Sequence, residues 1–82
     1  MSYFVYVLKC NDSTLYTGIT VNMKKRLKEH NESSKGAKYT RVRRPVELVY
    51  LEESTDRSSA SKREYEIKKL TRKEKLELIG DN

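Results

Sequence analysis

The stretch Tyr3-Phe4-Val5-Tyr6-Val7-Leu8-Lys9-Cys10-Asn11-Asp12-Ser13-Thr14-Leu15-Tyr16-Thr17-Gly18-Ile19-Thr20 decides how the fold begins. Tyr3 to Lys9 is a nearly continuous apolar and aromatic run, the pattern of a strand buried on both faces. Asn11-Asp12-Ser13 is turn chemistry, and Leu15 to Thr20 reads as a second strand, so the two predict a β-hairpin. Side chains alternate faces along a strand. A three-residue loop therefore sets Tyr6 opposite Gly18 and Tyr16 opposite Leu8, with both phenols on one face and open space over the glycine between them. A two-residue loop would split the pair across the sheet. Tyrosine is also a favoured strand residue that commonly just packs, so the pair is either a shared site or ordinary packing. Gly18 marks either a bulge or a place where something approaches the backbone closely.

Beyond the hairpin the pattern changes to helix. Thr20 or Asn22 is the expected N-cap, Met23 and Leu27 the core-facing pair, and Asn31, Ser33-Ser34 and Gly36 the end. A loop or short helical turn then leads to Pro45. Val46 to Leu51 is a third strand, with Val46, Leu48 and Tyr50 expected on one face and Glu47, Val49 and Leu51 on the other. Asp56 caps a long helix running to about Leu70. Thr71-Arg72-Lys73-Glu74 matches a capping box that starts another, packed down by Leu76 and Ile79 and stopped by Gly80. The order β-β-α-β-α-α predicts an α+β fold, a small, mainly antiparallel three-stranded sheet flanked by helices.

Eighty-two residues suffice for one small domain spanning residues 1–82, with no room for a second core. With 35% hydrophobic and 37% charged residues the core must be thin and the surface heavily ionised. No apolar run is long enough to span a bilayer and the N-terminus lacks a signal-peptide pattern. Cys10 is the single cysteine and has no internal disulfide partner, so a cytoplasmic location is expected. The net charge of +6 favours a polyanionic partner. From Lys35 to Arg44 the chain carries Lys35, Lys38, Arg41, Arg43 and Arg44, with Tyr39 among them and no acid. These six side chains are candidates for nucleic-acid contact, Tyr39 by stacking on a base; the alternative is a solvated cationic loop.

Arg26 and His30 are four apart and share a helix face. An arginine fork grips phosphate oxygens, and histidine can accept or relay a proton near neutral pH. Glu64 is conspicuous from periodicity alone. It lies four after Ala60 and three before Ile67, in the middle of the apolar stripe of its helix. A carboxylate aimed at the core needs a partner, either a cation such as Arg26 or a metal ion. Magnesium or manganese, held by one carboxylate with waters and phosphate oxygens, fits such a site. One cysteine and one histidine do not make a zinc site, and the chain has neither a glycine-rich phosphate loop nor a nucleophilic serine elbow.

The ordered set Val5-Tyr6-Val7-Leu8, Leu15-Tyr16-Thr17-Gly18-Ile19-Thr20, Arg26-Leu27 with His30-Asn31, Gly36-Ala37-Lys38-Tyr39-Thr40, Arg44-Pro45-Val46 and Glu64 resembles the GIY-YIG nuclease superfamily, in particular its small stand-alone bacterial members. The resemblance runs from Tyr3 to about Ile79. It implies a catalytic role for Tyr6, Tyr16, Arg26 and His30, a motif role for Gly18 and a metal-binding role for Glu64. The implied chemistry is phosphodiester hydrolysis with one Mg²⁺ or Mn²⁺ ion. Tyr16, as phenolate or through a relay, would help deprotonate the attacking water, Tyr6 would orient water or phosphate, and Arg26 would stabilise charge on the scissile phosphate. Departures from the family pattern are Phe4-Val5-Tyr6 in place of Gly-Ile-Tyr, Thr17 where isoleucine is usual, and no asparagine after the glutamate before Asn82. The expected partner is nucleic acid, DNA ahead of RNA, bound weakly and with little sequence preference by a bare domain; no membrane partner is expected, a targeting protein is a candidate partner, and the chain is expected to be a monomer or weak dimer. Three functions follow: a structure- or damage-directed DNA endonuclease, a non-catalytic nucleic-acid-binding module on the same scaffold, and a protein-interaction domain with an incidental basic surface.

Overall fold

The computed structural model describes residues 2–80, so Asn82 lies outside the described residues. The elements are β1 (Tyr3–Lys9), β2 (Leu15–Thr20), α1 (Met23–Glu32), α2 (Lys38–Arg41), β3 (Glu47–Ser54), α3 (Arg57–Lys68) and α4 (Arg72–Leu78). The sheet order is β2-β1-β3, antiparallel throughout. This is the α+β architecture expected from the sequence.

The hairpin turn is built as its composition requires. Cys10 N–H donates to the Thr14 carbonyl at 2.8 Å, closing a three-residue loop, and Ser13 takes a left-handed φ of 68°. The Asp12 carboxylate accepts from both the N–H and the hydroxyl of Thr14. The register follows: Tyr6 pairs with Gly18 and Leu8 with Tyr16.

Because β1 is central, both its faces are covered. Val5 and Val7 pack with Ala60 and Ile67 of α3, joined by Leu15, Ile19, Leu78 and Ile79. Tyr6 and Leu8 face the other way, with Cys10, Val46, Met23, Leu27 and Leu48. Each of the larger buried aliphatic side chains contributes about 1.5–3 kcal/mol by leaving water.

In β3 the pairing departs from simple alternation. Val7 pairs with Tyr50 but Leu8 with Leu48, which leaves Val49 as the extra residue of a bulge. Val46 and Leu48 stay on the Tyr6 face, whereas Tyr50 turns to the Val5/Val7 face, where Val49 also packs. The expectation that Val46, Leu48 and Tyr50 share a face is corrected by this one inserted residue. On its new side the Tyr50 hydroxyl donates to Glu52, which also pairs with Arg63 of α3.

Helix ends match their capping residues. Asn22, rather than Thr20, caps α1 by accepting from Lys25 N–H; Asp56 caps α3; Thr71 and Glu74 form the capping box of α4. Among the described residues no helix is long and apolar enough to cross a membrane.

Candidate active site

Four elements, β1, β2, α1 and α2, place an aromatic and cationic cluster on the Tyr6 face of the hairpin. The rings of Tyr6 and Tyr16 lie 6.5 Å apart, and His30, in the last turn of α1, meets both edge-on at 5.7 and 5.3 Å. The α2 turn brings Tyr39 into a stack with Tyr16 at 5.9 Å, and the Arg43 guanidinium covers the Tyr39 ring at 3.8 Å. The two phenols therefore do share a face, as the loop length predicts.

The space over Gly18, however, is not open. A Cβ at this position would meet the Tyr6 hydroxyl at 2.5 Å and its ring carbon Cζ at 2.7 Å. The glycine marks a close approach, and what approaches is the Tyr6 phenol. With 1% exposure Tyr6 is fully buried, while Tyr16 is half-buried and open to the surface. The two motif tyrosines are thus physically unequal.

Tyr6 Oη lies 2.7 Å from Nε2 of His30, and Nδ1 of His30 lies 2.8 Å from the hydroxyl of Thr40. Burial pushes the Tyr6 phenol up to about 12; the Arg26 guanidinium beside it pulls the other way, and Tyr16 and Glu64 add to the rise. Burial, helped by the nearby positive charge of Arg26 and Arg44, pushes His30 down to about 4. At neutral pH Tyr6 is a phenol and His30 a neutral imidazole.

Arg26 is held by Glu29 at 3.0 Å and by the Lys35 carbonyl at 3.0 Å, so its fork is oriented beside Tyr6. Glu64 is 23% exposed and lies on α3 between the buried Ala60 and Ile67. Its ion-pair partner is not Arg26 but Lys68, one helical turn on, at 3.3 Å. Among the described residues no group of three or more His, Cys, Asp or Glu is arranged around a metal position. Of the metal-ligand types, Glu64 is the carboxylate that could hold magnesium or manganese, ions that keep most of their waters and take phosphate oxygens as ligands.

The basic stretch divides into two parts. Lys35, Lys38 and Arg41 are exposed, as are Lys24, Lys25 and Lys28 of α1. Arg43 is tied to Asp12 at 3.0 Å and to the Tyr39 carbonyl, and Tyr39 has Tyr16 on one side and Arg43 over its ring. Arg44 donates to the carbonyls of Glu29, His30 and Ser33, closing the C-terminus of α1. Gly36 is also structural, since a Cβ there would meet the Glu29 carbonyl oxygen at 2.6 Å. Thr40, which the sequence reading named only within the stretch Gly36 to Thr40 and gave no site role, is fully buried at the far side of His30. A cleft of about 380 Å³ beside the turn, lined by residues including Cys10, Ser13 and Pro45, contains none of these site residues.

An antiparallel hairpin presenting two tyrosines to an arginine and a histidine on the next helix, with a carboxylate on the long helix behind, defines a nuclease-type catalytic domain. Residues 2–77 match the family model of the GIY-YIG catalytic domain, and the chain belongs to that family. Its relatives include the UPF0213 protein DP2720 of Desulfotalea psychrophila, 59% identical over 95% of this chain and 71% of that protein. A UPF0213 protein of Syntrophus aciditrophicus is 58% identical over 96% of this chain and 91% of its own length. Among solved structures, the UPF0213 protein BH0048 of Bacillus halodurans matches with a TM-score of 0.63 and 42% identity, covering 98% of this chain and 84% of that one. The E. faecalis protein EF2693 matches at 0.64 and 43%, covering 95% and 83%. A domain of this type implies nucleic-acid binding.

Proposed function

We propose that the chain is a divalent-metal-dependent endonuclease that hydrolyses phosphodiester bonds in DNA, with branched, flapped or damaged DNA as the substrate class. The observation that carries this reading is the assembly of Tyr6, Tyr16 and His30 on one face, with Arg26 one helical turn before His30 on α1. Lys24, Lys25, Lys28, Lys35, Lys38 and Arg41 supply exposed positive charge for the DNA backbone.

The inequality of the tyrosines divides their roles. Tyr6 is buried, protonated and hydrogen-bonded to His30, so it holds the site together and orients its neighbours. Tyr16 is the phenol a substrate can reach, and it assists removal of the proton from the attacking water. Arg26 grips a non-bridging oxygen of the scissile phosphate as charge develops there. Glu64 would hold Mg²⁺ or Mn²⁺, which when bound supplies positive charge for the phosphate and leaving oxygens.

A second reading, a non-catalytic nucleic-acid-binding module, is favoured by one observation: Lys68 occupies the carboxylate of Glu64. Cleavage of labelled single-stranded, duplex, flapped and branched DNAs with Mg²⁺ or Mn²⁺ separates the two. Metal-dependent cutting that disappears in Glu64→Ala supports the nuclease; salt-sensitive binding with no cutting across the panel supports the module.

A further inference from the structure

His30 sits in a chain of hydrogen bonds whose direction can be worked out from its Thr40 end. There, the hydroxyl of Thr40 donates to the Ala37 carbonyl at 2.9 Å, the same carbonyl that accepts the N–H groups of Thr40 and Arg41 as α2 begins. A hydroxyl has one proton to give, so towards Nδ1 of His30, 2.8 Å away, the Thr40 oxygen is the acceptor. Nδ1 therefore carries the ring proton and Nε2 the lone pair.

The other end accommodates either sense. The Tyr6 hydroxyl is buried and its partner is Nε2 of His30 at 2.7 Å, where a phenol can donate or accept. Thr40 therefore decides the direction: with Nδ1 protonated, Nε2 is left as the acceptor for the Tyr6 proton.

We propose that Thr40 is a positioning residue for the tyrosine site: by accepting from Nδ1 it selects the Nδ1–H tautomer of His30, which makes Tyr6 a donor to Nε2 and leaves the lone pairs of Tyr6 Oη available to a donor. The path runs Tyr6 O–H to Nε2, Nδ1–H to Thr40 Oγ1, and Thr40 O–H to the Ala37 carbonyl. It ends at a backbone carbonyl, which has no proton to pass on, so the path fixes orientation rather than conducting protons to solvent. Through it the short α2 turn, which also carries Lys38 and Arg41, is tied to the rotamer and the hydrogen-bonding sense of Tyr6. The groups around the imidazole are consistent with a neutral ring: Tyr6, Tyr16 and Thr40 are uncharged, and of the charged neighbours Arg26 and Arg44 oppose a proton on it while Glu29 favours one.

The catalytic consequence rests on the nuclease reading, whereas the tautomer does not, and the test keeps them apart. His30 is the only histidine, so long-range ¹H–¹⁵N correlation of the labelled full chain near neutral pH reports its tautomer without ambiguity. The natural chain and Thr40→Ser should both show the Nδ1–H form, and Thr40→Val, which removes the acceptor at nearly constant volume, should populate the Nε2–H form. An Nε2–H tautomer in the natural chain overturns the proposal, and so does an unchanged Nδ1–H tautomer in folded Thr40→Val. Should Thr40→Val fail to fold, Thr40→Ala replaces it and the tautomer of the natural chain remains decisive. On a DNA that the natural chain cuts, Thr40→Val should lower kcat roughly tenfold with little change in KM, and Thr40→Ser should recover most of it. A shifted tautomer with unaltered kcat removes the positioning role. If the natural chain cuts no DNA, the nuclease reading fails while the tautomer result stands by itself.

Discussion

The two faces of β1 are made from alternate residues of one strand, yet they are built on different principles. Val5 and Val7 meet Ala60 and Ile67 in a mainly apolar layer. Tyr6, one residue along, meets His30, Arg26, Tyr16 and a glycine whose missing side chain it replaces. On the first face any side chain of suitable volume and shape would serve. On the second each polar group depends on the next, since a buried donor or acceptor left without its partner costs about 1–3 kcal/mol. The Val5/Val7 face is thus mainly packing, while the Tyr6 face combines packing through Leu8 and Val46 with the polar cluster of the site.

Removing the functional face without touching the apolar one should give the largest effect. Arg26→Ala should reduce DNA cleavage by about 10²- to 10³-fold, the scale of losing a donor to developing charge, while the thermal midpoint falls only modestly. Comparable losses in rate and in folded fraction would mean that the two faces are not separable. Conversely, Ile67→Ala should cost about 2–5 kcal/mol in chemical denaturation, yet the molecules that remain folded should cut at the natural rate.

Gly18→Ala tests the close approach. The new methyl has no space beside a Tyr6 ring that is itself buried, so a loss of about 1–3 kcal/mol is expected, with shifted NMR signals from His30. A neutral substitution would show that Tyr6 moves aside easily and that the site is looser than the geometry implies.

The pH dependence of stability sharpens the same comparison. His30 is depressed to about 4 in the folded chain, while in the unfolded chain it titrates near 6.5. Between these values the unfolded state binds the extra proton, so stability rises with pH through this window. The contribution is complete above about 6.5 and is lost as the pH falls towards about 4, amounting to on the order of 2–3 kcal/mol. His30→Gln should flatten this part of the profile, leaving the loss at lower pH that comes from carboxylates such as Asp56, whose bond from Ser59 N–H holds it below the usual range. The smallest effect belongs to the turn: Ser13→Gly should stabilise by about 0.5–1 kcal/mol, because Ser13 occupies a left-handed conformation that glycine adopts without a steric penalty. Denaturation midpoints suffice to detect it.

Much of the architecture could be read directly from residue order. The hairpin register came from counting a three-residue loop, and the α4 start from a capping box, because both are local rules with short-range causes. Glu64 stood out as a carboxylate interrupting an apolar stripe, and it lies half-buried on the predicted helix. Its partner was not legible, since which cation reaches it depends on side-chain placement: Lys68 does, and Arg26 pairs with Glu29 instead. The bulge at Val49 left no mark in the alternating pattern either, so Tyr50 was assigned to the wrong face.

By itself, then, the sequence determined the order of elements, the shared face of Tyr6 and Tyr16, and the placement of Arg26 and His30 one turn apart on the next helix. Periodicity and turn chemistry act over a few residues and leave their pattern in the chain. Only the tertiary structure decided that Tyr6 fills the space over Gly18, that Arg44 closes α1, and that Thr40 stands behind His30. Those contacts join residues 10 to 24 positions apart or cross the sheet, and the residue types involved have many ordinary uses. Their meaning arises only when packing leaves a buried proton a single acceptor.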